Sequence, residues 1–265
     1  MRIIDVYKQK LKFKNYSLKT IETYSCYLSK FIIDLNIKDP YQISLKQIKN
    51  YLENKEYSSI SKQNQIIGAL KLFARYILNK KDVHLKKIER PKKEKKLPLV
   101  IESDFLKYTI NNIENLKHKS IIMLGFGCAM RVSEVINLKI TDIDSKRMLI
   151  HIRNAKGKKD RIVPISENIL KTLRNYFKKY KPVNHLFNGQ FKNQYSAESC
   201  NKIVKKHLGA NYHFHTLRHS GATTMHENGT DLALIQKLLG HNNIKTTMIY
   251  THISQKAIQN ISLPI

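Results

Sequence analysis

The sequence predicts a mainly α-helical protein in two domains, the first all-helical and the second α-rich with a small antiparallel β-sheet. Three observations predict it. Apolar residues recur at steps of three and four through residues 1–80, the spacing of one helical face. The stretch KKIERPKKEKKLP at 86–98 then breaks the periodicity with basic residues and two prolines, the composition of a solvated linker. Beyond it, a hairpin pattern at 147–165 stands among helical ones. The expected boundaries are a first domain at 1–88, a basic linker at 89–97 and a second domain at 98–265.

Each element has its own signal. Leu18, Ile21, Tyr24, Tyr27, Leu28, Phe31, Ile32 and Leu35 form one stripe. Ser17 precedes it as the expected N-cap, since its hydroxyl can accept an otherwise unpaired backbone N–H. Leu45, Ile48, Tyr51 and Leu52 make a second stripe; Ile66, Ile67, Leu70, Phe73 and Ile77 make a third, after a polar start at Ser61. Helical patterns resume after Leu99 and run to about Leu138. Met148–Arg153 and Arg161–Ile165 read as two strands, being rich in β-branched and apolar residues and divided by a Gly-containing polar turn. From Ile169 onward the patterns are helical again, and Gly240 is the expected C-cap of one of these helices.

Composition narrows the partners. Lys and Arg total 48 against 20 Asp and Glu, a formal charge of +28. A lysine-biased genome would raise the basic count without depleting the acids, so the excess points to a polyanion, and a nucleic acid is the expected partner. The linker lysines Lys92, Lys93, Lys95 and Lys96 are candidate DNA-backbone contacts; the alternative is a plain charged spacer. The N-terminus has no apolar core of signal-peptide length. The longest apolar run, IIMLGFGCAM at 121–130, is too short for a bilayer, so no membrane partner is expected. Cys26, Cys128 and Cys200 are odd in number and widely spaced, which fits a reduced, cytoplasmic protein.

Four segments place strong polar groups beside buried-looking stretches. In GFGCAMRVSEVINL, Arg131 follows a long apolar run, and a buried arginine needs an anion. Its planar fork suits a phosphate, and an internal pair with Glu134, three residues on, is the other reading. In AKGKKDRIVPI, Lys156 sits at the hairpin tip, either as a mobile ligand-reaching ammonium or as a solvated turn residue. In HFHTLRHSGATT, His215 and Arg218 are three apart; His213 with His215 could instead ligate a metal, and His219 reads as a packed or supporting histidine. In IQKLLGHNNIKTTMIYTHIS, His241 follows the C-cap and Tyr250 comes nine residues later. Two arginines, a lysine, two histidines and a tyrosine, with no carboxylate cluster for magnesium, suit metal-free phosphoryl transfer. The tyrosine can hold the phosphate covalently.

These segments, GCAMRVSEVINL with KITDID, AKGKKDRIVPI, HTLRHSGAT and LIQKLLGHNNIKTTMIYTH, resemble the tyrosine recombinases, also called the phage integrase family, in family order. Ser17, Thr20, Tyr24, Leu28 and Phe31 also resemble the family's SAM-like core-binding domain, so the resemblance spans nearly the whole chain. It implies a site-specific recombinase or integrase with a catalytic C-terminal domain. Tyr250 would be the nucleophile of a 3′-phosphotyrosyl bond that frees a 5′-hydroxyl. Arg131 and Arg218 would grip the scissile phosphate. Lys156 would protonate the leaving oxygen. His215 would take or return the tyrosine proton, His241 would hydrogen-bond the phosphate, and Glu134 would support the arginine and histidine. Neither a metal nor another cofactor is implied. The working unit would be a homotetramer on two double-stranded DNA sites, a dimer per site, exchanging strands through a Holliday junction. Accessory DNA-binding proteins are possible partners, and the protein would join the nucleoid when bound. The chain opens directly on the core-binding helices, so no extra arm-binding domain is expected.

One departure from the family pattern is Gly221, which stands where the family often has a large apolar residue; the expectation is looser local packing. The short stretch after Tyr250 leaves a C-terminal helix docked on a neighbouring protomer doubtful. Three rivals stay in view: a type IB topoisomerase-like enzyme, a non-catalytic DNA-binding regulator on the same fold, and a metal-dependent nuclease using His213 and His215.

Overall fold

The computed structural model describes residues 3–81, 86, 88–92, 97–153, 160–189 and 194–251. The chain divides into two compact units, Met1–Lys95 and Lys96–Ile265.

Among the described residues the first unit holds the α-helices α1 (Ile3–Phe13), α2 (Leu18–Asp34), α3 (Leu45–Asn54) and α4 (Ile60–Tyr76). Serine hydroxyls start three of them. Ser17 accepts from the Thr20 N–H and Ser59 from the Lys62 N–H, each at 3.2 Å. Ser44 and Gln47 cap each other's backbone reciprocally, which satisfies two otherwise unpaired donors. The apolar stripes meet in one core of Tyr7, Leu11, Leu28, Phe31, Ile48, Leu70 and Phe73. Tyr7 reaches its polar end across that core and donates to the Ala69 carbonyl at 2.9 Å. α4 begins at Ile60 with Ser59 as its cap, two residues before the expected polar start.

The second unit places helices α5 (Ser103–Asn111), α6 (Leu116–Gly127) and α7 (Val132–Asn137) before a three-stranded sheet. Its strands β1 (Ile143–Asp144), β2 (Leu149–Ile152) and β3 (Arg161–Pro164) pair antiparallel in that order, with Ile150 opposite Val163 and Ile152 opposite Arg161. The arms match the expected hairpin to within a residue or so. β1 is too short to show any alternation in sequence. The hairpin tip, with Lys156, lies outside the described residues. Helices α8 (Glu167–Tyr180), α9 (Ala197–Leu208), α10 (Phe214–Glu227) and α11 (Leu232–Leu239) follow, then two short 3-10 turns, Ile244–Thr246 and Met248–Tyr250. Among the described residues no helix is long and apolar enough to cross a membrane.

α6 is the axis of this unit. It is apolar nearly all round, with Ile121, Ile122 and Leu124 fully buried, and α8 and α10 pack against it. The packing is closest at Gly221, where a Cβ would stand 2.1 Å from the Phe126 carbonyl oxygen. The looser packing expected at Gly221 is therefore corrected: the absent side chain lets α10 approach the backbone of α6 where nothing larger fits.

Candidate active site

Three arginines converge on the C-terminal end of α11. Arg161 Nε donates to the Leu238 carbonyl at 2.6 Å, Arg218 Nη2 to the Leu239 carbonyl at 2.6 Å, and Arg131 Nη2 to the Gly240 carbonyl at 3.4 Å. A helix C-terminus leaves its last carbonyls unpaired and carries partial negative charge, so it attracts cations. The helix stops where Gly240 turns left-handed at φ 61°, as the sequence expected. Arg218 also donates through Nη1 to the Ala129 carbonyl at 2.8 Å. Ala129 is itself left-handed at φ 47°, an unfavourable conformation for a residue with a Cβ, and it lies in the tight connection that turns α6 into α7.

One carboxylate balances these cations. Glu134 accepts from Arg161 at 2.6 and 2.8 Å, from Arg131 Nη1 at 2.9 Å and from the Arg131 backbone N–H at 2.7 Å. Its second oxygen lies 3.8 Å from Arg218 Nη1. Burial would raise the Glu134 carboxyl, but the bonds and charges of Arg161 and Arg131 outweigh it and hold it at about 2. Arg218 is 1% exposed. Burial and then Arg131 press its pKa down to about 9 against the pull of Glu134, which still leaves it charged at neutral pH. Three guanidinium groups against one carboxylate leave two positive charges in a half-closed space. That is a site for an anion.

Of the two readings of Arg131, the structure shows the internal pair with Glu134, and the residue remains half-buried. Beside it opens a cavity of about 610 Å³ bordered by Lys139, Asp142, His151, Arg153 and His185. Glu134 was expected to support an arginine and a histidine; the bonds described for it all come from arginines. Arg161 was not singled out in the sequence. The signal was there: a charged residue opening an apolar strand, the same anomaly that marked Arg131.

The histidines and the tyrosine gather on α10, just beyond the end of α11 and on the last 3-10 turn. His241 Nε2 receives Arg218 Nη2 at 3.4 Å, and its Nδ1 meets the buried Thr247 hydroxyl at 3.0 Å. Burial, then Arg218 and Arg131, push it down to about 4, so it is neutral at neutral pH. Tyr250 is 1% exposed and packs among Ala129, Ala222, Ile235 and Leu239. Burial raises its hydroxyl pKa while Arg218 and Arg131 pull it down. Its hydroxyl lies 3.1 Å from His219 Nδ1.

The resemblance gives His215 the exchange of the tyrosine proton; the residue described against the hydroxyl in this structure is His219. His215 is exposed on the first turn of α10, and its ring packs edge-on against His219 with centroids 4.4 Å apart. His219 lies one helical turn further along, between His215 and Tyr250. Although the residue is exposed overall, the partial burial of its ring, then Arg218, lower the His215 pKa. His213 caps α10 through Thr216. Among the described residues no group of three or more His, Cys, Asp or Glu gathers as for a metal. Of the linker lysines, Lys92 is exposed, and Lys93, Lys95 and Lys96 lie outside the described residues.

Residues 101–257 match the phage integrase family, and residues 3–82 match the N-terminal SAM-like domain of phage integrases. The chain is similar to the tyrosine recombinase XerA of Pyrococcus horikoshii, at 34% identity over 266 residues, covering 97% of this chain and 91% of the relative. It is also similar to the tyrosine recombinase XerD of Staphylococcus epidermidis, at 32% identity over 263 residues, covering 83% and 89%. Among solved structures, a crystal structure of XerA recombinase aligns with a TM-score of 0.56 at 27% identity, covering 98% of this chain and 96% of that one. The XerH site-specific recombinase bound to a palindromic difH substrate aligns with a TM-score of 0.72 at 23% identity, covering 93% and 80%. That last likeness is one of fold.

Proposed function

The chain belongs to the phage integrase family and is a tyrosine recombinase, and from that premise we propose that it cuts and rejoins duplex DNA at specific sites with Tyr250 as the nucleophile. The observation that carries this reading is the cluster of Arg131, Arg161 and Arg218 around the single carboxylate of Glu134, with Tyr250 anchored beside Arg218's helix. A phosphodiester passing through a pentacoordinate transition state gains negative charge on its non-bridging oxygens. Fixed guanidinium groups stabilise that charge without a metal and without reorganising.

In this reading Arg131 and Arg218 hold the scissile phosphate and His241 hydrogen-bonds it. Tyr250 gives its hydroxyl proton to His215, as the family pattern implies, and displaces the 5′-oxygen, which takes its proton from Lys156. The phosphotyrosyl bond conserves the energy for rejoining, so no ATP is consumed. The cavity beside Arg131, with Lys139, His151, Arg153 and His185 on its border, supports a path for the flanking strand. The linker lysines add backbone contacts in the same reading. Tetramer assembly on two sites, strand exchange through a Holliday junction and any accessory proteins belong to this proposal, by likeness to the family.

The test uses DNA fragments flanking the protein's own gene. Protein and labelled fragment are mixed in EDTA and stopped with SDS. A covalent adduct that survives EDTA and vanishes in Tyr250→Phe supports the reading. An adduct that persists in that variant moves the nucleophile elsewhere. No adduct on any fragment, even with nicked substrates that trap cleavage, overturns catalysis and leaves a DNA-binding protein. Arg218→Lys, which keeps the charge and loses the fork, is expected to slow adduct formation about 10²-fold or more with DNA binding retained, like the loss of one oxyanion donor.

A further inference from the structure

A carboxylate offers about four lone-pair sites to donors, and the bonds described for Glu134 fill them. Oε1 accepts from Arg161 Nη1 at 2.6 Å and from Arg131 Nη1 at 2.9 Å. Oε2 accepts from Arg161 Nη2 at 2.8 Å and from the Arg131 backbone N–H at 2.7 Å. Half of that set comes from Arg161. Arg218, the next cation, stands off at 3.8 Å from Oε2 and directs its fork to the Ala129 and Leu239 carbonyls. Arg161 itself is turned inward. Its Nε donates to the Leu238 carbonyl at 2.6 Å, and its side chain is 8% exposed. The Gly240 turn lies against its stem, where a Cβ would stand 3.2 Å from Arg161 Cδ.

We propose that Arg161 is a positioning residue of the reaction: by filling Glu134 it leaves Arg131 and Arg218 free to turn to the scissile phosphate. This rests on the reading of Arg131 and Arg218 as the groups that hold that phosphate. Without Arg161, one lone-pair site opens on each Glu134 oxygen. The first lies beside Arg131 Nη1 and the second faces Arg218 Nη1. Each guanidinium is then drawn to a buried carboxylate in competition with the phosphate.

Charge acts in the same direction. Three guanidinium groups against one carboxylate leave two positive charges, and loss of Arg161 leaves one. Burial would raise the Glu134 carboxyl, but Arg161 and then Arg131 hold it at about 2, so it is a full negative charge at neutral pH. With its side chain 5% exposed, water cannot take the place of the missing donors. A phosphodiester carries one negative charge before attack and two in the pentacoordinate transition state. The weakened cationic site therefore costs the transition state more than the bound substrate, and the defect falls on cleavage more than on DNA binding.

The experiment follows adduct formation in single turnover on two substrates, the cleaved DNA fragment and the same fragment with a methylphosphonate at the scissile position. The methyl group replaces one non-bridging oxygen, so this transition state carries one negative charge fewer. The proteins are the native chain, Arg161→Gln, Arg161→Gln combined with Glu134→Gln, and Arg218→Lys, each below its urea midpoint and with DNA binding measured alongside. Arg161→Gln is expected to be about 10²-fold slower on the phosphodiester with binding retained, and about tenfold slower or less on the methylphosphonate. The double variant is expected to regain on the order of tenfold over Arg161→Gln. It removes the carboxylate together with its partner, which restores two positive charges and leaves no lone buried one. A merely structural tie would slow both substrates equally, and that outcome overturns the proposal. So does a double variant no faster than Arg161→Gln, or a native rate in Arg161→Gln. A native rate in Arg218→Lys would instead overturn the assignment of the phosphate-holding arginines, and this proposal with it.

Discussion

Residues 1–95 hold 22 Lys and Arg against 9 Asp and Glu, and residues 96–265 hold 26 against 11, yet the two units dispose of that charge differently. In the first unit the core is aliphatic and aromatic, and Ser25 is the one buried polar residue among those described. In the second, Glu134, Asp142 and Arg218 are buried, and the Arg161 side chain is 8% exposed. An excess of surface lysine says that the partner is a polyanion. It does not say where the chemistry is. Burying a charge is costly unless it is paired and hydrogen-bonded, so the place where the fold bears that cost marks the site.

The sharpest way to break the comparison is Arg161→Ala. It removes two bonds from Glu134 and the donor from the Leu238 carbonyl, leaving buried groups unpaired. The expected loss is about 3–5 kcal/mol, read by hydrogen exchange as lost protection in residues 97–153 and 160–251 with 3–81 unchanged. Equal loss in both units would mean that they do not differ as described.

A second contrast sets two glycines against each other. In Gly221→Ala the new methyl meets the Phe126 backbone oxygen at 2.1 Å, and the helices must part. A cost of about 1–3 kcal/mol or more is expected. In Gly68→Ala of α4 the nearest atom is the Tyr24 hydroxyl at 2.9 Å, the far end of a side chain that can swing. There the gain of about 1 kcal/mol in helix propensity offsets the contact, and the change is expected near neutral. Urea midpoints of the two variants check this, and similar costs would remove the contrast.

Acid should separate the units more gently. His219 and His241 stand at about 4 in the folded protein against an ordinary 6.5. Between those values the unfolded chain binds protons that the folded one refuses. Their contribution is therefore present above about pH 6.5 and lost as pH falls toward 4. Glu134, at about 2 against 4.5, contributes fully above about pH 4.5 and loses its share only below it. A loss on the order of 1 kcal/mol is expected in the second unit between pH 7 and 5. The first unit has a single histidine in its sequence, His84, and should lose less. Exchange protection compared at the two pH values decides the matter, and a larger loss in residues 3–81 would sink it.

Local structure was legible in the sequence because its causes are local. The stripe from Leu18 gave α2, Ser17 its cap and Gly240 the end of α11. Each depends on spacing, or on one residue's own backbone preference. The hairpin arms were legible for the same reason, while β1, two residues long, had no pattern to read. Of the candidate residues, Arg131, Glu134, Arg218, His241 and Tyr250 were named from motifs that stand out residue by residue. Their partners were not. Arg161 meets Glu134 across 27 positions and the Leu238 carbonyl across 77; His219 meets Tyr250 across 31.

The sequence by itself therefore determined the helices, the hairpin, the positive charge and the residue types suited to phosphoryl transfer, since propensity, periodicity and side-chain chemistry are written position by position. Only the tertiary structure decided that His219, rather than His215, holds the Tyr250 hydroxyl, that three arginines cap one helix end, and that Gly221 permits a backbone contact. Those follow from how α6, α10 and α11 pack, and packing brings together side chains whose separation along the chain carries no periodic signal.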